Sequence, residues 1–138
     1  MSTFVDTGAF YAMANRRDRY HTTAKAYFLS NFGSSDFVTS NLVFVESWLL
    51  IHHRLGATAS REFWKSIRSN VVAVLEISAQ DLELAWTISE QYGDQDFSLV
   101  DCASFAIMER LEITRAFAFD SHFTIYRPAK TGFFERVP

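Results

Sequence analysis

The amino-acid sequence predicts an α/β fold, a three-layer α/β/α sandwich around a mainly parallel central sheet of four to five strands. Three observations carry the prediction. Short runs rich in β-branched and aromatic residues alternate with helical patterns along the chain, the order expected of parallel strands joined by helical crossovers. One helical stretch, within Asp96–Leu111, is apolar almost all round, with Leu99, Val100, Cys102, Ala103, Phe105, Ala106, Ile107, Met108 and Leu111, so it needs cover on every side. Two strand-like runs end in aspartate, as Phe-Val-Asp-Thr at Asp6 and Ala-Phe-Asp-Ser at Asp120. Right-handed crossovers would gather such strand ends on one edge, where open α/β sheets bind ligands.

Taken in order, Thr3-Phe4-Val5 is a short strand ending at Asp6, and a helical stretch follows from Thr7 through Ala14. Asn15–Tyr20 is a loop carrying Arg16, Arg17 and Arg19, and a helix runs from about His21 to Asn31. Gly33-Ser34-Ser35 turns the chain into the strand Asp36–Thr39, after which Ser40 or Asn41 can cap a helix ending near Leu55 at Gly56. A helix over about Thr58–Arg68 precedes a β-branched strand over Val71–Ile77, and Ser78 caps a helix over Ala79–Tyr92. Ser98 then caps the apolar helix, Ala116–Phe119 is the next strand, Asp120 starts a turn, and a weak last strand lies near Phe133–Val137.

Composition bounds the function classes. With 138 residues, 49% of them hydrophobic, the chain is expected to form one domain over residues 1–138 with a sizeable core. The net charge of −3 supplies no global basic field, which counts against unaided nucleic-acid binding but not against a nucleic acid held through divalent cations. Cys102 is the only cysteine, so no disulfide framework or multi-cysteine zinc site exists, and among apolar neighbours it reads as a small core residue. The start lacks the charged and apolar regions of a signal peptide, and no segment is long and apolar enough to span a membrane, so a cytoplasmic protein without membrane association is expected. No glycine-rich phosphate loop and no Gly-x-Ser-x-Gly elbow is present.

Four acids remain as candidates for chemistry. Asp101 stands three residues after Ser98, where its carboxylate completes a capping box and complements the helix dipole, a purely structural role that suffices by itself. Asp6 and Asp120 could likewise do no more than cap the turns that follow them. Glu46 is harder to explain structurally. Its neighbours three and four positions away are Leu42, Val43, Leu49 and Leu50, so it projects from an apolar stripe, where a carboxylate costs several kcal/mol unless an arginine, a cation or a proton neutralises it or it snorkels to water at the stripe's edge. If the four converge at one sheet edge they repel one another, and hard divalent cations with oxygen ligands relieve that repulsion. Such ions can activate water and stabilise the leaving oxygen in phosphodiester cleavage, which makes a metal-dependent nuclease the leading reading.

Val-Asp-Thr-Gly-Ala-Phe near the start, Thr39 with Glu46 seven residues later, Asp-Phe-Ser-Leu-Val-Asp at 96–101 and Ala-Phe-Asp-Ser-His-Phe at 118–123 together resemble a PIN domain, in particular the small VapC-like toxins. The resemblance spans nearly the whole chain. It implies a PIN-like α/β/α fold in which Asp6, Glu46, Asp101 and Asp120 bind Mg²⁺ or Mn²⁺ and cleave RNA. It also implies the toxin half of a type II toxin–antitoxin pair, a homodimer held inactive by a cognate antitoxin protein that inserts into the acidic groove. The alternative is a PIN-like module that binds RNA or protein without cutting; an acidic-site phosphatase or DNA nuclease is a third reading.

Two positions depart from the family pattern. Many relatives carry threonine two residues before the last acid and a further Asp or Asn two residues after it, whereas this chain has Ala118 and His122, which leaves the number of ions, one or two, open. His122 reads by default as a surface residue, with metal ligation or phosphate positioning as the alternatives. Asp96, and after it Asp94, could add an auxiliary acid, with a solvated loop charge as the default. Arg16, Arg17, Arg19, Lys65, Arg68, Arg127 and Lys130 are candidate phosphate contacts. His52 and His53 point to different faces near a helix end and suit the dipole rather than a shared zinc. Tyr11, Trp48, Trp64 and Trp86 serve equally as stacking platforms or as core.

Overall fold

Strand β1 (Ser2–Val5) lies at the centre of the molecule because it pairs on both sides, with β2 (Asp36–Ser40) and with β4 (Arg115–Phe117), both parallel. The computed structural model describes all residues, Met1–Pro138. β3 (Ala73–Leu75) extends the sheet beyond β2, and β5 (Glu135–Val137) extends it beyond β4, giving a wholly parallel five-stranded sheet in the order β3-β2-β1-β4-β5. Consecutive residues of a strand face opposite sides of a sheet, and Thr3, Phe4 and Val5 are all fully buried, as are Ala116 and Phe117. Both faces of the central strands are therefore covered, as the apolar continuity of these runs requires.

The cover comes from α1 (Thr7–Ala14), α2 (His21–Asn31), α3 (Asn41–Leu55), α4 (Ala57–Arg68), α5 (Ala79–Gln91), α6 (Leu99–Arg110) and the single turn α7 (His122–Ile125). Residues Asp101–Met108 of α6 are all buried, which is the all-round apolar pattern realised as a central helix. An aromatic cluster seals it: the Phe105 ring stacks on Tyr126 at 4.8 Å and meets Phe123 edge-on at 5.0 Å. A second aromatic group, Tyr27, Phe28 and Phe37, packs with Phe117 where α2 crosses the sheet. Ser40 caps α3 by accepting from the Val43 N–H, and Gly56, at φ 95°, stops that helix and starts α4, a backbone conformation that a side chain would strain.

Four elements differ from the sequence expectation. β4 stops at Phe117 rather than Phe119, so Asp120 lies three residues past its end, and β5 begins only at Glu135. β3 is shorter than Val71–Ile77, because Asn70 adopts a left-handed φ of 64° and the chain bends through Val71 and Val72 before it can pair. The segment after Asp120 is a helical turn, α7, since the Asp120 carboxylate accepts from the His122 N–H and starts it. Trp64 and Trp86 are exposed, at 49% and 62%, so neither belongs to the core, whereas Trp48 is half-buried and stacks on His52.

The order β3-β2-β1-β4-β5 has one consequence for ligands. The winding direction reverses between β1 and β4, and a crevice opens beyond the carboxyl ends of strands at such a switch point. Asp6 directly follows β1 and Asp120 follows β4 by three residues, so the two aspartates stand at that switch point.

Candidate active site

Asp6 is held at the sheet edge by its own backbone, whose N–H donates to the Phe117 carbonyl across β1 and β4 at 3.0 Å. It occupies the N-cap position of α1, yet its side chain makes no capping hydrogen bond, so a simple cap does not account for the residue. The residue is only 5% exposed. Burial pushes its carboxyl up to about 7, the Thr7 amide pulls it back in part, and the charges of Asp101, Asp120 and Glu46, in that order, push it further. A carboxyl that feels three other carboxylates through a low-dielectric edge is in an electrostatically unfavourable place.

Those three acids arrive from three different elements. Asp101 is brought by the first turn of α6, where the predicted capping box forms in full: the Ser98 hydroxyl accepts from the Asp101 N–H at 3.0 Å, and Asp101 Oδ2 accepts from the Ser98 N–H at 3.0 Å. Glu46 reaches in from the second turn of α3, half-buried, and its Oε1 accepts a hydrogen bond of 2.8 Å from the Thr7 hydroxyl. Asp120 comes from the segment after β4, and its Oδ1 accepts from the His122 N–H at 2.8 Å. The structure thus brings the four acids singled out in the sequence to one edge.

No Lys or Arg pairs with any of the four; the cationic ion pairs are Arg110 with Asp81, Arg115 with Glu135 and Lys130 with Glu112, all elsewhere. The arginine that would have explained Glu46 structurally is absent. What does enter the cluster is His122, which corrects its default reading as a surface residue. Its Nδ1 lies 2.8 Å from Asp101 Oδ2 and 3.3 Å from Asp120 Oδ1, and its side chain is only 24% exposed. Ligand atoms of Asp101, Asp120 and His122 fall within 4.8 Å of one another, close enough to share one ion. Carboxylate-rich, partly buried and short of cationic partners, this donor set fits a hard divalent ion such as Mg²⁺ or Mn²⁺.

Other sequence candidates lie outside this cluster. Asp94 and Asp96 are exposed and bond to nothing in the site. His52 bonds the Ser60 hydroxyl, while His53 is exposed. Among the cations, Arg19 covers the Tyr20 ring at 4.6 Å, and that ring stacks at 4.3 Å on Phe119, the residue before Asp120. Arg136, which was not among the sequence candidates, donates to the Phe119 carbonyl at 3.3 Å. Arg127 folds back on the Thr124 carbonyl, and Lys65 and Arg68 lie with Arg61 and Trp64 on the outer face of α4.

Comparison with known proteins agrees with this geometry. The family model of the PIN domain matches residues 3–127. The 23S rRNA-specific endonuclease VapC20 of Mycobacterium tuberculosis, found in two strains, is 36% identical over 121 residues, covering 88% of this chain and 91% of that protein. The crystal structure of Mycobacterium tuberculosis VapC20, described as a sarcin–ricin-loop-cleaving toxin, superposes with a TM-score of 0.86 at 34% identity over 99% of each chain. The Rickettsia felis VapBC2 structure, bound to a fragment of its promoter DNA, gives a TM-score of 0.74 over the full length at 11% identity, a likeness of fold alone. With a doubly wound parallel sheet, acids gathered at its switch point and a family match over nearly its whole length, this chain belongs to the PIN domain family, with VapC-type endonucleases among its relatives.

Proposed function

We propose that this PIN domain is a divalent-metal-dependent endoribonuclease, the toxin component of a type II toxin–antitoxin pair, acting over residues 1–138 as one catalytic unit. The observation that carries the reading is Asp6, a buried acid facing three others with no Lys or Arg to neutralise the group. A protein retains such a cluster against its electrostatic cost when a cation is to be bound there. Bound Mg²⁺ or Mn²⁺ supplies Lewis acidity toward phosphate oxygens and an activated water at neutral pH.

The chain's own residues do the rest. Asp6, Asp101 and Asp120 present carboxylate oxygens from three segments, and Glu46, steadied by the Thr7 hydroxyl, helps hold the ion or orients the attacking water. Arg19 and Arg136, tied to the segment that carries Asp120, offer positive charge to RNA phosphates approaching the edge. The 36% identity to a 23S rRNA endonuclease supports a folded ribosomal RNA loop as the substrate class. Exposed Val45, Leu49 and Trp64 on α3 and α4, and Leu82, Trp86 and Leu99 on α5 and α6, support burial against protein, which fits a cognate antitoxin and a homodimer. No helix is long and apolar enough to cross a membrane, and the reading places the protein in the cytoplasm with its RNA.

The test is cleavage of intact ribosomes and of free 23S rRNA by the purified chain, read by primer extension. Mg²⁺ or Mn²⁺ should yield a discrete cut that a chelator abolishes, and Asp6→Asn or Asp101→Asn should lower the rate by at least about 100-fold while the circular dichroism is retained. Wild-type rates in either variant would reject the assignment. No cut in any RNA, combined with no thermal stabilisation by either ion, would mark a non-catalytic binding module; cleavage confined to DNA or small phosphate esters would mark a different hydrolase.

A further inference from the structure

We propose that His122 is a positioning residue for the metal site, one that claims a single oxygen from each of two carboxylates so that the other oxygen is left for the cation. The inference rests on the metal-dependent reading above. On Asp101, both hydrogen bonds fall on Oδ2, from the Ser98 N–H at 3.0 Å and from His122 Nδ1 at 2.8 Å, and Oδ1 takes none from the protein. On Asp120, the His122 backbone N–H takes Oδ1 at 2.8 Å, the same oxygen that lies 3.3 Å from Nδ1, and Oδ2 is free. Each acid is thereby divided into a held oxygen and an open one.

The chemistry of the ring fixes its role. Nδ1 faces two carboxylate oxygens, which accept and do not donate, so Nδ1 carries the hydrogen. His122 therefore acts as a donor that clasps α6 to the segment after β4, two parts of the chain separated by 21 positions at this contact. Its ring is itself braced, edge-on against Phe97 at 5.0 Å, by the residue just before the Ser98 cap. A carboxylate free to rotate must be ordered when a cation binds, whereas one already held by an outer partner is presented in place; loss of such partners characteristically weakens metal affinity 10–100-fold. Direct ligation through Nδ1 would need that hydrogen removed and both carboxylate contacts surrendered.

Calorimetric titration of Mn²⁺ and Mg²⁺ into the wild-type chain and three variants tests this without reference to turnover. His122→Ala should weaken binding by about 10–100-fold. His122→Asn sets an amide nitrogen where Nδ1 stood and should restore affinity to within about threefold, whereas His122→Gln, whose nitrogen falls nearer the position of Nε2, should not. The proposal is overturned if His122→Ala binds as tightly as wild type, if Gln restores affinity as well as Asn does, or if the Mn²⁺ spin-echo spectrum shows a ¹⁴N coupling from a bound imidazole. A wild-type chain that binds neither ion overturns both this role and the proposed function; a wild-type chain that binds while the alanine variant binds equally well overturns this role alone.

Discussion

Helices α5 and α6 begin with the same device. Ser78 and Asp81 form a capping box, Ser98 and Asp101 form another, and the two helices pack against each other. Their fates diverge in what meets the second oxygen. Asp81 is 1% exposed and gripped by the Arg110 guanidinium, Nε at 2.7 Å and Nη2 at 3.0 Å, which holds its carboxyl below the usual carboxylate range. Asp101 meets no arginine; the imidazole N–H falls on the oxygen the cap already holds, and the other oxygen takes no hydrogen bond from the protein while the charge acts on Asp6. One box is a finished structural joint and the other leaves charge unspent, and only the unspent charge can do chemistry.

The sharpest way to break this contrast is to make the second box resemble the first. His122→Arg would set a guanidinium against Asp101 and Asp120 as Arg110 stands against Asp81. Mn²⁺ affinity should fall by about 100-fold or more, and RNA cleavage with it, while the melting temperature of the metal-free chain rises. A variant that keeps both its affinity and its cleavage would show that neutralisation is not what separates the two sites.

Asp6 sharpens the contrast through pH. Its folded-state pKa of about 7 lies above the ordinary 3.8, so the folded chain binds the proton more tightly than the unfolded one. Metal-free wild type therefore loses stability as pH rises from about 4 through 7 and bears the whole penalty above it. Asp6→Asn should be more stable than metal-free wild type at pH 8 by on the order of 2–4 kcal/mol, with the margin shrinking toward pH 4. Denaturant melts at several pH values with a chelator present check this, and a margin independent of pH would refute the buried-charge account. Mg²⁺ should stabilise wild type more at pH 8 than at pH 5.5 and should leave Asp6→Asn nearly unmoved.

Effects at the structural box should be smaller and confined to stability. Arg110→Ala strands a buried carboxylate, but the arginine itself is 44% exposed, so the cost discounted for solvent is about 1–3 kcal/mol. RNA cleavage by the folded fraction should not change. Smallest of all, Thr7→Val removes the hydroxyl that steadies Glu46, for about 1 kcal/mol and a cleavage loss of a few-fold, readable in denaturant midpoints and initial rates.

How far the site could be read beforehand varied with the range of the interactions involved. Asp101 was legible because its cap lies three residues away and its helix is apolar all round; Glu46 was legible because a charge on an apolar stripe conflicts with its neighbours. His122 was not, since Asp-Ser-His is an ordinary surface tripeptide until the start of α6 arrives 2.8 Å from the ring. Arg136 escaped notice for the same reason, being beside Phe119 only because β5 pairs with β4. The matching boxes of Asp81 and Asp101 show the limit from the other side: the cap itself does not distinguish them, and Arg110 is 29 positions from the acid it neutralises.

From the sequence alone came the alternation that makes a parallel sheet, the caps that start its helices, and four candidate acids of which Glu46 alone conflicts with its local surroundings, because periodicity and capping act over a few residues. The tertiary structure alone decided which of the two box acids stays uncompensated, that His122 clasps two carboxylates, and that the winding reverses between β1 and β4 so that Asp6 and Asp120 meet at one switch point. Those outcomes depend on charges brought within a few ångströms from distant parts of the chain, and Coulomb energy depends on separation in space, not along the polypeptide.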